Sequence, residues 1–177
     1  GNMRVNNKIK EDGYMYIDCL WVAGSFKGHG YADELLNYCM EDSKQKGKNG
    51  ICILSCAKKK PFLSDPKFLK YKGFEPCDEA DNGVQLWYLP FNKEAEPPKF
   101  KENARHPHID EKGYVLFYTY QCPYNAKYVP VLENLAKEKD IKFKVVHIKS
   151  REEAQNAPTP ITTYALFYDG EYLTNEQ

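Results

Sequence analysis

The sequence predicts an α/β protein built from two successive blocks of strands and helices, and three observations carry that reading. Runs of β-branched and aromatic residues alternate with stretches whose apolar residues recur at helical spacing. The alternation restarts once, after the polar stretch from Asn92 to Asn103, which holds the pair Pro97-Pro98 and no apolar periodicity. With 177 residues, 42% of them hydrophobic and 14% aromatic, the chain can fill one large or two compact cores despite a mean hydropathy of −0.70. The expected division is a first domain over 1–91, a linker over 92–112 and a second domain over 113–177.

In the first block, Tyr14 to Val22 is aromatic and β-branched and reads as a strand. A helix from Gly30 to about Lys46 follows, because Tyr31, Leu35, Leu36, Cys39 and Met40 share one helical face. Ile51 to Cys56 is a short apolar run expected as a buried strand. Asp65 to Tyr71 reads as a short helix stopped by Gly73, and Val84 to Leu89 as a further strand. In the second block a strand from Tyr114 to Tyr120 runs through Gln121-Cys122-Pro123-Tyr124 into a helix from about Asn125 to Lys139. A strand from Phe143 to Ile148 and a short acidic helix, Arg151 to Asn156, come next. Pro158-Thr159-Pro160 leads to a strand from Ile161 to Tyr168, the turn Asp169-Gly170 and a last strand, Glu171 to Leu173. There is no internal repeat or low-complexity tract, and Lys58-Lys59-Lys60 reads as a solvated loop.

Charge removes several classes of function. Lys plus Arg and Asp plus Glu each number 25, so the net charge is zero and the long-range attraction that drives non-specific nucleic-acid or anionic-membrane binding is missing. No apolar run approaches the ~20 residues that span a bilayer, and Gly1 to Val5 carries no signal-peptide block, so a cytoplasmic location is expected. The six cysteines contain no CxxC pair and no ligand-spaced cluster with histidine, which argues against a disulfide scaffold and against a metal site. Cys19, Cys39, Cys52, Cys56 and Cys77 are expected as small core hydrophobes. Cys122 stands apart.

The strongest chemical signal is Val22-Ala23-Gly24-Ser25-Phe26-Lys27-Gly28-His29-Gly30-Tyr31-Ala32, where a strand passes through small residues into the first turn of a helix. N–H groups at such a start have no intrahelical partner and carry partial positive charge. Gly28, Gly30 and Ala32 would let a pyrophosphate approach the backbone closely, with Lys27 as an added cation. The spacing is not a Walker loop and lacks the third glycine of a dinucleotide fold.

From Tyr14 to Phe91 the chain resembles the C-terminal half of the GNAT superfamily of acyl-CoA N-acyltransferases. Lys27-Gly28-His29-Gly30-Tyr31-Ala32 matches the motif Gln/Arg-x-x-Gly-x-Gly/Ala with Lys in the usual Arg place. Leu20-Trp21-Val22 resembles the fourth strand of that family, Ile51 to Cys56 the fifth, and Phe68 to Glu75 the helix ending in Gly-Phe-Glu. The resemblance implies acetyl-CoA as co-substrate, main-chain contacts to it from Leu20, Trp21 and Val22, and pyrophosphate binding by Lys27, Gly28, His29, Gly30, Tyr31 and Ala32. It implies transfer of an acetyl group to a small-molecule or peptide amine. Two departures stand out. The position of the family's frequent acid tyrosine is Leu69, which leaves Tyr71 as the substitute on another helix face, and only thirteen residues precede Tyr14, so the family's N-terminal half is expected to be missing. A truncated sheet would expose an edge and an apolar face, and a homodimer, or docking of the second block, is expected to cover them.

The second block has a thioredoxin-like order. Cys122 opens a helix, where the helix dipole favours a thiolate and makes chemistry at that sulfur plausible. A dithiol cycle would need a cysteine three residues on, and Asn125 is there. The whole resembles the YoaP-type acetyltransferases, in which a GNAT domain precedes a YoaP-like domain. The expected fold is therefore a partial GNAT fold followed by a small thioredoxin-like domain. Three functions stay open: an acetyl-CoA-dependent N-acetyltransferase with Tyr71 and Cys122 as catalytic candidates, a monothiol redox protein acting through Cys122, and an inactive CoA-binding or interaction module.

Overall fold

A computed structural model describes residues 13–176. They divide into two units, one formed by 13–79 and 83–100 and the other by 80–82 and 101–176.

In the first unit the elements are β1 (Tyr14–Ile17), α1 (Tyr31–Gln45), β2 (Gly50–Cys56), α2 (Pro66–Tyr71), β3 (Glu75–Glu79) and β4 (Val84–Pro90). The sheet order is β1-β2-β4-β3, with β1 parallel to β2 and the remaining pairs antiparallel. All seven residues of β2 are buried, as expected of an apolar run flanked on both sides by other strands. Ser55 tolerates that position because its hydroxyl donates to the Ser64 carbonyl at 2.7 Å. Leu36 of α1 and Leu69 of α2 pack with Ile51, Ile53, Phe74 and Trp87 to form the core. Asp65 caps α2 by accepting from the Lys67 N–H at 2.9 Å, with Pro66 at the first helical position, where no N–H is needed.

In the second unit α3 (Glu102–Arg105) precedes β5 (Tyr114–Tyr118), α4 (Pro123–Glu138), β6 (Phe143–His147), α5 (Arg151–Asn156), β7 (Tyr164–Tyr168) and β8 (Glu171–Thr174). Its sheet runs β6-β5-β7-β8, with β5 parallel to β6 and antiparallel to β7. Ser150 and Glu153 close a capping box at the start of α5, each side chain taking the other residue's backbone N–H.

Several expectations are corrected. The first strand stops at Ile17 instead of Val22, the strand at Tyr114 stops at Tyr118 instead of Tyr120, and that before the hairpin begins at Tyr164 instead of Ile161. In each case β propensity runs beyond the residues that find a ladder partner. β3 was not expected, and the polar stretch around the Pro-Pro pair leads into the short helix α3. Cys19 is exposed, not core, while Cys52 and Cys56 are buried and Cys39 and Cys77 half-buried.

Candidate functional site

The site is built by the way β1 leaves β2. Pairing runs from Tyr14 opposite Gly50 to Ile17 opposite Ile53, and there β1 ends. β2 continues through Leu54, Ser55 and Cys56, paired only with Leu86, Gln85 and Val84 of β4. Beyond Ile17 the chain takes no further ladder partner, so Leu20, Trp21 and Val22 lie in no strand, and Trp21 is 68% exposed. A 3-10 turn, Gly24–Phe26, closed by a bond from the Phe26 N–H to the Ala23 carbonyl at 2.9 Å, then redirects the chain toward α1.

Gly28 and Gly30 have φ of +84° and +80°, a region that costs other L-residues about 1–2 kcal/mol. A Cβ at either would meet nothing within 4 Å, so these glycines serve backbone conformation, not close packing, and the space beside them is open. Gly30 caps α1, and the first helical bonds come from Asp33 and Glu34, whose N–H groups reach the Gly30 carbonyl at 2.9 and 3.1 Å. The N–H groups of Tyr31 and Ala32 precede them and have no helical acceptor. Lys27 to Tyr31 are exposed, and the rings of Phe26 and His29 stand 6.2 and 6.0 Å from that of Tyr31. The geometry therefore fits a phosphoryl group: open N–H donors at the positive end of a 15-residue helix, two left-handed glycines and a lysine in the turn. Beside it opens an apolar groove of about 620 Å3, lined by Trp21, Phe26, Tyr31, Leu35 and Tyr38 with the carboxylate of Glu34.

On α2 the two positions in question point apart. Leu69 is fully buried and Tyr71 is 82% exposed, with Lys72 Nζ 4.8 Å from its ring centroid. Among the described residues no cluster of side chains could hold a metal ion.

In the second unit Cys122 is the N-cap of α4, half-buried, with Pro123 at the first helical position. Asn125 is fully buried and donates through Nδ2 to the carbonyls of Thr119 at 2.8 Å and Thr163 at 2.5 Å. It ties the end of β5 to the approach to β7, a structural duty that its sequence position alone did not reveal. Nearby, the His147 ring stacks on Tyr118 at 4.6 Å and meets Tyr120 at 4.2 Å. Burial holds the His147 pKa below its ordinary value, assisted by Lys149 and opposed by Glu153. Burial and the Tyr120 hydroxyl push the Tyr118 phenol up to about 12.

Comparison with known proteins meets this geometry at both ends of the chain. The family model described as Acetyltransferase (GNAT) family matches residues 2–61, which include the glycine turn, and the one described as YoaP-like matches residues 142–177. A Bacillus subtilis (strain 168) protein named "Uncharacterized N-acetyltransferase YoaP" is 39% identical over 168 residues, spanning 95% of this chain and 67% of the relative. The chain belongs to the GNAT family of N-acetyltransferases. No solved structure matches it. Within this acetyltransferase the glycine turn lies inside the GNAT match, whereas Tyr71 and Cys122 fall between the two matched segments. No helix among the described residues is long and apolar enough to cross a membrane.

Proposed function

We propose that this acetyltransferase takes acetyl-CoA as its donor and transfers the acetyl group to a primary amine of a small molecule or peptide. The observation that carries the reading is the turn at the start of α1, whose two glycines adopt positive φ and which follows a segment that leaves the β1–β2 ladder after Ile17. There the N–H groups of Gly28 to Ala32 receive the pyrophosphate, with the Lys27 ammonium beside them, the Lys27 N–H itself donating to the Gly24 carbonyl at 3.4 Å. The main chain of Leu20, Trp21 and Val22, which is in no ladder, pairs with the pantetheine arm. The thioester supplies an activated acyl carbon: a nitrogen–carbon bond forms, the carbon–sulfur bond breaks, and the proton lost by nitrogen balances the one gained by the departing thiol. The chain's own contribution is to bring donor and acceptor together and exclude alternative poses.

Leu69 has no proton to give, and Tyr71 is the phenol of this segment that could return one to the leaving sulfur. That role requires Tyr71→Phe to lower kcat while leaving the KM for acetyl-CoA unchanged. Cys122 has no step in this reading, so Cys122→Ser should retain transfer; loss of transfer with intact folding would favour chemistry at the sulfur instead. We read the second unit as a thioredoxin-like domain on its β6-β5-β7-β8 order, with the domain limits near 1–91 and 113–177. A second copy covering the outer edge of β1 and the aromatic groove beside it would give a dimer in sedimentation equilibrium. The test of the function is release of thiol from acetyl-CoA across a panel of primary amines and N-terminal peptides. Amine-dependent release supports it, and binding of the donor without turnover on any amine would favour the inactive CoA-binding module.

A further inference from the structure

Asp33 and Glu34 place two carboxylates in the first turn of α1. For the helix this is favourable, since negative charge near an N-terminus offsets the partial positive charge of its open N–H groups. For an anion held by those same groups it is unfavourable, because like charges repel within the screening length of about 8 Å. At Asp33 a cation resolves the conflict. Lys72, the C-cap of α2, brings Nζ to 2.7 Å from Asp33 Oδ1, with side chains 20% and 49% exposed respectively. Its ammonium also stands 5.8 Å from the centroid of Phe68 and 4.8 Å from that of Tyr71, so two rings and a carboxylate surround it. The pairs Lys44–Glu41 and Lys46–Asp42 at the far end of α1 are local to that helix and its cap, whereas Lys72–Asp33 joins two helices.

We propose that Lys72 is a positioning residue for the donor site: by pairing with Asp33 it cancels the carboxylate beside the Lys27–Ala32 turn and so permits a phosphoryl anion to be held there. The inference rests on the acetyl-CoA reading above. It separates the work of two lysines. Lys27 lies in the turn itself and attracts the anion directly, while Lys72 acts through Asp33.

The experiment is a charge cycle read by calorimetric titration of coenzyme A into the full chain. Lys72→Met leaves Asp33 uncompensated and should weaken binding by about three- to tenfold at low salt, less at high salt. Asp33→Asn should leave affinity unchanged or raise it. The double variant Asp33→Asn/Lys72→Met restores local neutrality and should bind within about twofold of the parent protein. Lys72→Arg, which keeps the charge, should also bind like the parent and controls for folding. If Lys72→Met is without effect while the parent binds, or if the double variant stays as weak as Lys72→Met, the proposal is overturned, the second result meaning that Lys72 touches the anion or holds the fold. If the parent protein takes up no coenzyme A, the donor reading itself falls, and this inference with it.

Discussion

Leu69 occupies the place where an acid side chain was sought, and the structure assigns it to the core. Leu69→Ala tests that assignment. The side chain is 0% exposed and packs with Leu36, Ile51, Ile53, Phe74 and Trp87, so little of the space can collapse on truncation. A fully buried Leu→Ala change costs about 3–4 kcal/mol, within a range of about 2–5. With a urea dependence of about 1.5 kcal/mol per molar, the unfolding midpoint should fall by about 2 M. Tryptophan fluorescence reports the right unit, since both tryptophans, Trp21 and Trp87, lie within it and Trp87 belongs to the same cluster. Tyr71→Ala, at 82% exposure, should move the midpoint by less than about 0.5 kcal/mol equivalent. A Leu69→Ala loss below about 1 kcal/mol, or an equal loss at Tyr71, would refute the claim that α2 turns Leu69 inward and Tyr71 outward.

Three other expectations concern stability and thiol access. Asn125→Ala removes both bonds to the Thr119 and Thr163 carbonyls in a buried place, and should destabilise the second unit by about 2–4 kcal/mol in chemical denaturation, whereas Cys122→Ser should cost far less. Because burial lowers the folded-state pKa of His147, the unfolded chain binds the proton first. Stability from this group is therefore complete above about pH 6.5 and falls as pH drops through that value toward the lower folded pKa; His147→Gln should remove that part of the Tm-against-pH slope. Iodoacetamide on the folded protein should label exposed Cys19 first. Cys52, fully buried, and Cys77, pushed up to about 12 by burial and then by Asp78 and Glu75, should react only after denaturation, as read by peptide mass spectrometry.

How far these features were legible in the sequence depends on whether their cause is local. α1, β2 and β4 follow from apolar periodicity or apolar runs, and each appears within a residue or two of its expected ends. β3 was invisible because Glu75-Pro76-Cys77-Asp78-Glu79 carries three acids and a proline; it is a strand because it lies at the sheet edge, where Pro76 needs no second partner and β4 supplies the ladder. The opposite error fell on Cys19 to Val22, whose side chains suit a strand but whose backbone joins no ladder with β2, because pairing is a tertiary event that propensity does not record. The glycine turn could be read because its signal is a conformation that few residues adopt. The ion pair of Lys72 with Asp33 and the bridging amide of Asn125 could not be, since both join residues that only the folded chain brings together.

The central claim is that the turn over Lys27 to Ala32 holds the donor's pyrophosphate through left-handed backbone at Gly28 and Gly30 that a β-branched residue strongly resists. Its most direct test is calorimetric titration of acetyl-CoA into the parent protein and into Gly30→Val, where a β-branched residue is forced to a φ of +80° although nothing crowds its Cβ. The account predicts a dissociation constant between about 1 μM and 1 mM for the parent protein and no measurable binding to a Gly30→Val variant that still unfolds cooperatively. Equal affinity in the two proteins, or no heat of binding to the parent at millimolar acetyl-CoA, would contradict it.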